Sequence, residues 1–151
     1  MRHITTMALM ALVGSVAFAP ARSAADAPKK SEAQPADKLV GTWKRVAAKY
    51  DGKDAALPEG FTALKHVTPT QFMWVVYGED GKVVSGLGGM YASKGDEYVE
   101  TPEYGVGQVV DQLKGKPQVF RWNIEGNKWH HTGKLSSGMS IEEVWERVEK
   151  K

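Results

Sequence analysis

The stretch Leu39 to Val46 reads "LVGTWKRV" and opens the first extended run of the chain. It places Gly41, Thr42 and Trp43 in succession, so the largest type of side chain stands at the start of a strand. The valines and the threonine around it favour extended backbone. The role of this tryptophan at the start of a strand indicates which fold the chain adopts.

Short aromatic and β-branched runs follow at intervals of about ten residues, separated by turns rich in Gly, Asp, Asn and Pro. The turns "EDGK" and "EGNK" are typical of β-hairpins. The pattern predicts eight sequential antiparallel strands. They are Val40 to Tyr50, Phe61 to Val67, Gln71 to Tyr77, Val83 to Tyr91, Glu97 to Thr101, Gln118 to Ile124, Lys128 to Leu135 and Ile141 to Val148.

Eight such strands lose their unpaired edges when they close into an up-and-down barrel. The glycine-rich run "SGLGGM", Ser85 to Met90, fits a strand that bends at a barrel corner, and a bulged sandwich strand is the alternative. Residues 107–116 carry Val109, Val110 and Leu113 at helical spacing, which predicts a short helix or an irregular connection. The predicted fold is therefore all-β, a single antiparallel barrel of about eight strands.

The first 25 residues have the composition of a secretory signal peptide. A basic start at Arg2 precedes an apolar run from Met7 to Ala19, which is shorter than the roughly 20 residues that span a bilayer. We expect cleavage after Ala25, and cleavage after Ala21 or Ala24 is the alternative. The sequence thus predicts a periplasmic or secreted protein.

Residues 26–37 are polar, aperiodic and contain proline, which predicts a flexible linker ahead of a barrel domain at 38–151. Cysteine is absent from the sequence. Disulfides, a lipid anchor on cysteine and thiolate metal sites are therefore excluded. The exported domain has to be held together by its core alone.

The charges balance once the signal segment is removed. Arg2 and Arg22 belong to that segment, so the remaining 18 basic residues equal the 18 acidic residues in number. No Lys/Arg run is longer than Lys29-Lys30 or Lys150-Lys151. Nucleic acids and anionic membranes need a basic patch, so we expect neither a nucleic-acid partner nor stable membrane insertion after signal removal.

The Gly41-Thr42-Trp43 sequence at the start of the first strand resembles the Gly-x-Trp signature of the calycins, the superfamily of lipocalins and fatty-acid-binding proteins. The resemblance implies that Trp43 plugs the closed end of the barrel and that a basic residue of the last strand lies over its ring. In the last strand, "IEEVWERV", that residue is Arg147. Such a cation–π contact contributes about 1–2 kcal/mol beyond burial. We therefore assign Gly41, Trp43 and Arg147 to barrel closure.

The domain is also similar over most of its length to bacterial exported lipocalin-like domains of uncharacterised function. The segments that carry this likeness are "LPEGFTALKHVTPTQFMWV", "GGMYASKGDEYVETPEYG" and "IEEVWERV". The resemblance implies a carrier role and no particular ligand. The Arg-x-Tyr pair with which intracellular fatty-acid carriers grip a carboxylate is absent, because Glu149 stands two residues after Arg147.

Strand alternation predicts which side chains face the interior. Phe120 and Trp122 share one face of their strand, and Trp129 and His131 share one face of theirs. In "FMWVVY" both faces are apolar, so the sequence leaves open whether Trp74 points inward. The predicted ligand-binding residues are Trp74, Glu100, Phe120, Trp122, Trp129 and His131.

These residues predict a non-enzymatic monomer that carries or sequesters a small hydrophobic or amphipathic ligand. The same aromatic side chains could instead fill the barrel, and the protein would then be an interaction or inhibitor module. Two further alternatives are a haem-binding barrel with an interior histidine ligand and a small enzyme in which His66, Glu100 and His131 converge. No metal site is predicted, since the histidines lack metal-ligand spacing. No catalytic residue and no cofactor are predicted either.

Overall fold

The computed structural model describes residues 38–149, which form a closed antiparallel barrel of eight long strands. A two-residue strand, β2 (Lys53–Asp54), pairs with the end of β1, and one short helix, α1 (Val109–Leu113), joins β6 to β7. The long strands are β1 (Gly41–Tyr50), β3 (Phe61–Val67), β4 (Gln71–Gly78), β5 (Val83–Lys94), β6 (Glu97–Val106), β7 (Gln118–Glu125), β8 (Lys128–Lys134) and β9 (Ser140–Arg147). The predicted all-β barrel, with its helix inside 107–116, is confirmed. The predicted signal peptide (1–25) and linker (26–37) lie outside the described residues.

Each long strand pairs with the next one along the chain, and β1 pairs with β9 to close the barrel. Trp43 lies at the seam, opposite Lys65 of β3 on one side and Arg147 of β9 on the other. Every long strand thus has two neighbours and the sheet closes on itself, although β6 pairs with β7 only over residues 97–100.

The strand pairing is irregular in the β1–β9, β4–β5 and β5–β6 pairs, and two of these bulges concern the site. In β1, Val46 is an extra residue between Arg45, which faces Trp145, and Ala47, which faces Val144. In the β5–β6 pair, Glu103 is the extra residue. Such bulges bend a strand and change which face its side chains occupy.

The second bulge explains both the glycine-rich run and the length of β6. This strand continues beyond Thr101, its predicted end, because Pro102 sits beside the bulge, where a missing backbone N–H is tolerated. A Cβ on Gly89 would collide with the backbone oxygen of Thr101. Glycine at this position therefore allows β5 and β6 to approach closely.

The end of the barrel where β1 begins is closed by aromatic side chains. Trp43 is fully buried, and its indole Nε1 donates a hydrogen bond to the carbonyl of Leu39 at 2.8 Å. Trp129 meets Trp43 edge to face, with the ring centroids 5.4 Å apart. Gly41, with φ at +143°, leaves room for the Arg147 guanidinium, because a Cβ there would stand 2.6 Å from Arg147 Nη1.

Helix α1 lies at the opposite end, since the strands alternate in direction and the β6–β7 connection is there. Leu113 is buried against Phe72 and Leu87, and Val109 and Val110 pack around this small cluster. No helix in residues 38–149 is long and apolar enough to cross a bilayer. The cavity lies between α1 and the closed end of the barrel, which Trp43 and Trp129 fill.

Candidate functional site

The barrel encloses a cavity of about 310 Å³. Its wall is mostly apolar, and the apolar side chains come from β3, β4, β5, β6, β7, β9, α1 and the turn between β8 and β9. The main apolar lining residues are Ala63, Trp74, Val76, Leu87, Pro102, Val109, Leu113, Phe120, Leu135, Met139, Ile141 and Trp145. One part of the wall carries charged side chains, and it gives the cavity its chemical character.

The first charged group on the wall is Lys65. The alternation of β3 turns Ala63, Lys65 and Val67 inward, so the lysine is only 1% exposed. Its Nζ donates a hydrogen bond to Glu100 Oε1 at 2.9 Å. A buried ammonium without a partner would cost several kcal/mol, and this ion pair offsets part of that penalty.

Three aromatic rings surround the same ammonium. Lys65 Nζ lies 4.9 Å from the ring centroid of Trp129, 5.0 Å from that of Trp145 and 5.7 Å from that of Tyr98. Ring faces attract cations, and the attraction increases when water is excluded. Glu100 and the three rings thus hold the lysine charge at the side of the cavity.

The second charged group joins β1 to β9. Arg45 Nη1 donates to the Tyr50 hydroxyl at 2.6 Å, and that hydroxyl donates to Glu143 Oε1 at 2.9 Å. Arg45 Nη1 also lies 3.4 Å from the same carboxylate oxygen, and Trp145 Nε1 donates to Glu143 Oε2 at 3.0 Å. The Glu143 carboxylate therefore receives donors on both of its oxygens.

The bulge in β1 makes this arrangement possible. Arg45 and Tyr50 are five residues apart, so in a regular strand they would lie on opposite faces. The extra residue, Val46, shifts the alternation and turns both side chains toward Glu143.

Burial and charge shift the pKa values of this cluster. Burial raises the pKa of Tyr50, and the Glu143 carboxylate raises it further, so the phenol stays protonated. Burial alone would raise the pKa of Glu143, but the contact with His131 and the positive charges of Lys65 and Arg45 lower it to about 2. Glu143 is therefore a buried carboxylate that remains ionised at neutral pH.

His131 stands between the two charged groups and is 1% exposed. Its ring centroid lies 4.1 Å from that of Phe120, and its Nδ1 lies 3.5 Å from Glu143 Oε2, which is an electrostatic contact longer than a good hydrogen bond. Within the described residues neither ring nitrogen has a hydrogen-bond partner. Burial lowers the pKa of His131, and so does Lys65, which favours the neutral ring with one donor and one acceptor nitrogen.

Four of the six predicted ligand-binding residues line the cavity. They are Trp74, Glu100, Phe120 and His131. Trp74 and Val76 face inward with the fully buried Phe72, so the face of β4 that the sequence left open is now identified.

Trp122 and Trp129 are not among the residues that line the cavity, and their role in ligand binding stays a prediction. Trp129 is fully buried in the closed end against Trp43, and Trp122 donates its Nε1 hydrogen to Ser93 Oγ at 3.1 Å. Alternation indicates which face a side chain occupies, but it carries no information on height along the barrel axis. Both tryptophans point inward, and both lie nearer to the closed end of the barrel than the cavity does.

His66, a further polar candidate from the sequence, lies outside this site. His66 Nδ1 lies 3.1 Å from Thr42 Oγ1 on the outer face of the barrel, because the adjacent Lys65 occupies the inner face. The three residues required for a barrel enzyme, His66, Glu100 and His131, are therefore not brought together. Among residues 38–149, no three His, Asp or Glu side chains are grouped to hold a metal ion.

Four polar residues of the cavity wall were not predicted from the sequence: Arg45, Tyr50, Lys65 and Glu143. A signal for two of them was present, because Lys65 and Glu143 occupy inward positions of their strands, between Ala63 and Val67 and between Ile141 and Trp145. A charge among apolar side chains on the same face of a strand indicates a polar site inside a barrel. No such signal existed for Arg45 and Tyr50, because the bulge that aligns them has no recognisable sequence pattern.

Comparison with known proteins adds little to this description. No protein-family model matches the chain, and no curated protein matches it. Among solved structures, the chain is similar to a redesigned β-barrel, with 18% identity, a TM-score of 0.49 and coverage of 76% of this chain and 95% of that one. It is also similar to a protein described as the REP1-NXSQ fatty acid transporter, with 8% identity, a TM-score of 0.43 and coverage of 76% and 99%. Similarity at these identities and TM-scores does not identify a family or a ligand for this chain.

Proposed function

We propose that this protein is an exported, non-enzymatic binding protein that carries or sequesters a small, largely apolar ligand inside its barrel. The observation that supports the proposal is the cavity of about 310 Å³, bounded by apolar side chains and one polar patch. Ligand sites in proteins have this composition, and their volumes begin at about 300 Å³. Eight-stranded barrels either fill their interior with side chains or hold one small ligand.

The distribution of side-chain size supports a binding role. The bulky rings of Trp43 and Trp129 pack edge to face at the closed end, whereas the small side chains of Ala63 and Ser85 line the cavity. An interaction module with a filled barrel is the weaker proposal for this reason. An enzyme is weaker too, because His66 lies on the outer face, away from Glu100 and His131.

We also propose that the protein is one of the bacterial lipocalin-like domains and that it is exported from the cytoplasm. Support for the family comes from Gly41, Trp43 and Arg147, which form one contact at the closed end. Support for export comes from the composition of residues 1–25.

The test uses the full chain, purified from the cell envelope or medium of its source organism, with its intact mass compared under native and denaturing conditions. We expect a small non-covalent adduct that is lost on denaturation. Ala63→Phe should abolish the adduct, because the added ring would occupy the cavity. Ala92→Phe on the exposed side of β5 is the matched control and should retain it.

Two results would contradict the proposal. One is an adduct of equal occupancy in Ala63→Phe and in the unaltered protein, which would locate the ligand elsewhere. The other is a clean apo mass that stays clean when lipids, haem and aromatic acids are added. That second result would favour an interaction module.

A further inference from the structure

The charged part of the cavity wall is electrically balanced. Arg45 and Lys65 contribute two positive charges, and Glu100 and Glu143 contribute two negative charges. Arg45 contacts Glu143, and Lys65 contacts Glu100. Burial raises the pKa of Tyr50 and lowers the pKa of His131, which favours the neutral form of these two remaining titratable wall groups. We infer that the ligand of this cavity is an uncharged molecule whose polar end is a hydroxyl or carbonyl oxygen, held by hydrogen-bond donors of the wall. The inference rests on the proposed binding function and specifies its ligand class.

A charged ligand end would upset this balance. A ligand carboxylate would be the third negative charge beside Glu100 and Glu143, and a ligand ammonium would be the third positive charge beside Arg45 and Lys65. An ion buried without its own counter-ion carries a desolvation penalty that relaxation of the protein offsets only in part. A neutral polar group avoids this penalty.

The wall offers more donors than acceptors. Arg45 carries five N–H groups, yet within residues 38–149 its hydrogen bonds all run through Nη1. Lys65 has three N–H groups and donates one to Glu100. His131 adds a buried ring without a hydrogen-bond partner in the described part of the chain. An oxygen that accepts hydrogen bonds is the complementary group.

The volume limits the size of the ligand. A cavity of about 150 Å³ holds benzene, which has six non-hydrogen atoms. The cavity here, at about 310 Å³, is twice as large. It therefore suits a ligand of about a dozen non-hydrogen atoms.

Three probes of this size test the inference. Decanol, decanoate and decylamine share an apolar chain and differ in charge at about pH 7.5. Their affinities for the full chain are measured by calorimetry, after any endogenous ligand has been removed by unfolding and refolding. We expect decanol to bind at least about tenfold more tightly than either charged probe, which corresponds to about 1.4 kcal/mol.

A charge-neutralising substitution provides the second test. Glu143→Gln keeps the shape of the side chain and leaves a net positive charge on the wall. We expect the affinity for decanoate relative to decanol to rise at least about tenfold. Glu142→Gln, the adjacent exposed residue of β9, is the control and should leave the ratio unchanged. If Glu143→Gln does not fold, the ranking of the three probes by the unaltered protein still decides.

The outcomes separate the two proposals. Binding of decanoate or decylamine as tight as that of decanol would overturn the inference and leave the binding function in place. If none of the three probes binds, the inference is overturned, whereas the native-mass comparison of Ala63→Phe with the unaltered protein decides the binding function separately. An equal change of the decanoate-to-decanol ratio in Glu143→Gln and Glu142→Gln would also overturn the inference, because the effect would then come from net charge.

Discussion

The guanidinium carbon of Arg147 lies 4.0 Å from the ring centroid of Trp43. Arg147 Nη1 donates to the carbonyl of Val40 at 2.9 Å, and Nη2 donates to the carbonyl of Lys38 at 2.5 Å. A single side chain of the last strand therefore covers the tryptophan of the first strand and also holds the segment that leads into it.

This relationship predicts that Arg147→Met lowers the free energy of unfolding by about 2 kcal/mol, because a partly desolvated cation–π contact and hydrogen bonds from a charged group are lost. Urea unfolding followed by circular dichroism measures the loss. Arg121→Met is the control, since Arg121 forms an exposed ion pair with Asp96 that should contribute less than about 1 kcal/mol. Equal losses in the two variants would show that the contact does not stabilise the closed end.

The close approach of β5 and β6 predicts that Gly89→Ala destabilises the barrel by about 2 kcal/mol or more. The new methyl group would meet backbone atoms of Thr101, Pro102 and Glu103, which cannot move without disturbing the bulge. In Gly78→Ala the nearest atoms belong to the side chains of Asp80 and Phe61, which can rotate away. Thermal unfolding of both variants checks the contrast, and a Gly89→Ala protein as stable as Gly78→Ala would contradict it.

The buried histidine predicts that the protein loses stability as the pH falls below about 6.5, the ordinary pKa of a histidine side chain. Unfolded His131 takes up a proton there, whereas in the folded protein its pKa is lowered, so acid favours the unfolded chain. Urea midpoints between about pH 8 and pH 5 measure this slope. His131→Gln should flatten it. His130→Gln, in the adjacent and partly exposed residue, should retain the wild-type slope.

Glu143 extends the same trend to lower pH. The pKa of this carboxyl lies at about 2 in the folded protein, against the 4.5 that is ordinary for a glutamate, so its stabilising effect is complete above about pH 5. Protonation removes that effect as the pH falls toward 2. Glu143→Gln should have a smaller loss of stability between about pH 5 and pH 2 than Glu142→Gln, and identical acid profiles would contradict the assignment.

The position of the tryptophans predicts which of them reports a bound ligand. Trp74 lines the cavity, whereas Trp122 lies below it. Decanol should therefore change the fluorescence of the Trp122→Phe protein as it does that of the unaltered protein. Trp74 and Trp145 are the two tryptophans that line the cavity, so the change should be reduced, although not abolished, in Trp74→Phe. A response that depends on Trp122 instead would place the ligand at the closed end.

Strand order and barrel closure could be predicted from the sequence, because they depend on short-range patterns. Period-two alternation between Phe61 and Val67, and turns such as "EGNK", are local consequences of how strands and hairpins form. The same alternation correctly indicated that Phe120 and His131 point inward. Alternation carries no information on height along the barrel axis, so it does not separate Trp122 and Trp129 from the side chains that line the cavity.

The sequence by itself thus determined an eight-stranded antiparallel barrel, with a helix at one end and tryptophans in its interior. Only the tertiary structure decided what the cavity can recognise. The bulge at Val46 turns Arg45 and Tyr50 to one face, and β9 supplies Glu143 from nearly a hundred residues away in the chain. Pairing of buried charges depends on contacts across distant strands, which no local pattern encodes.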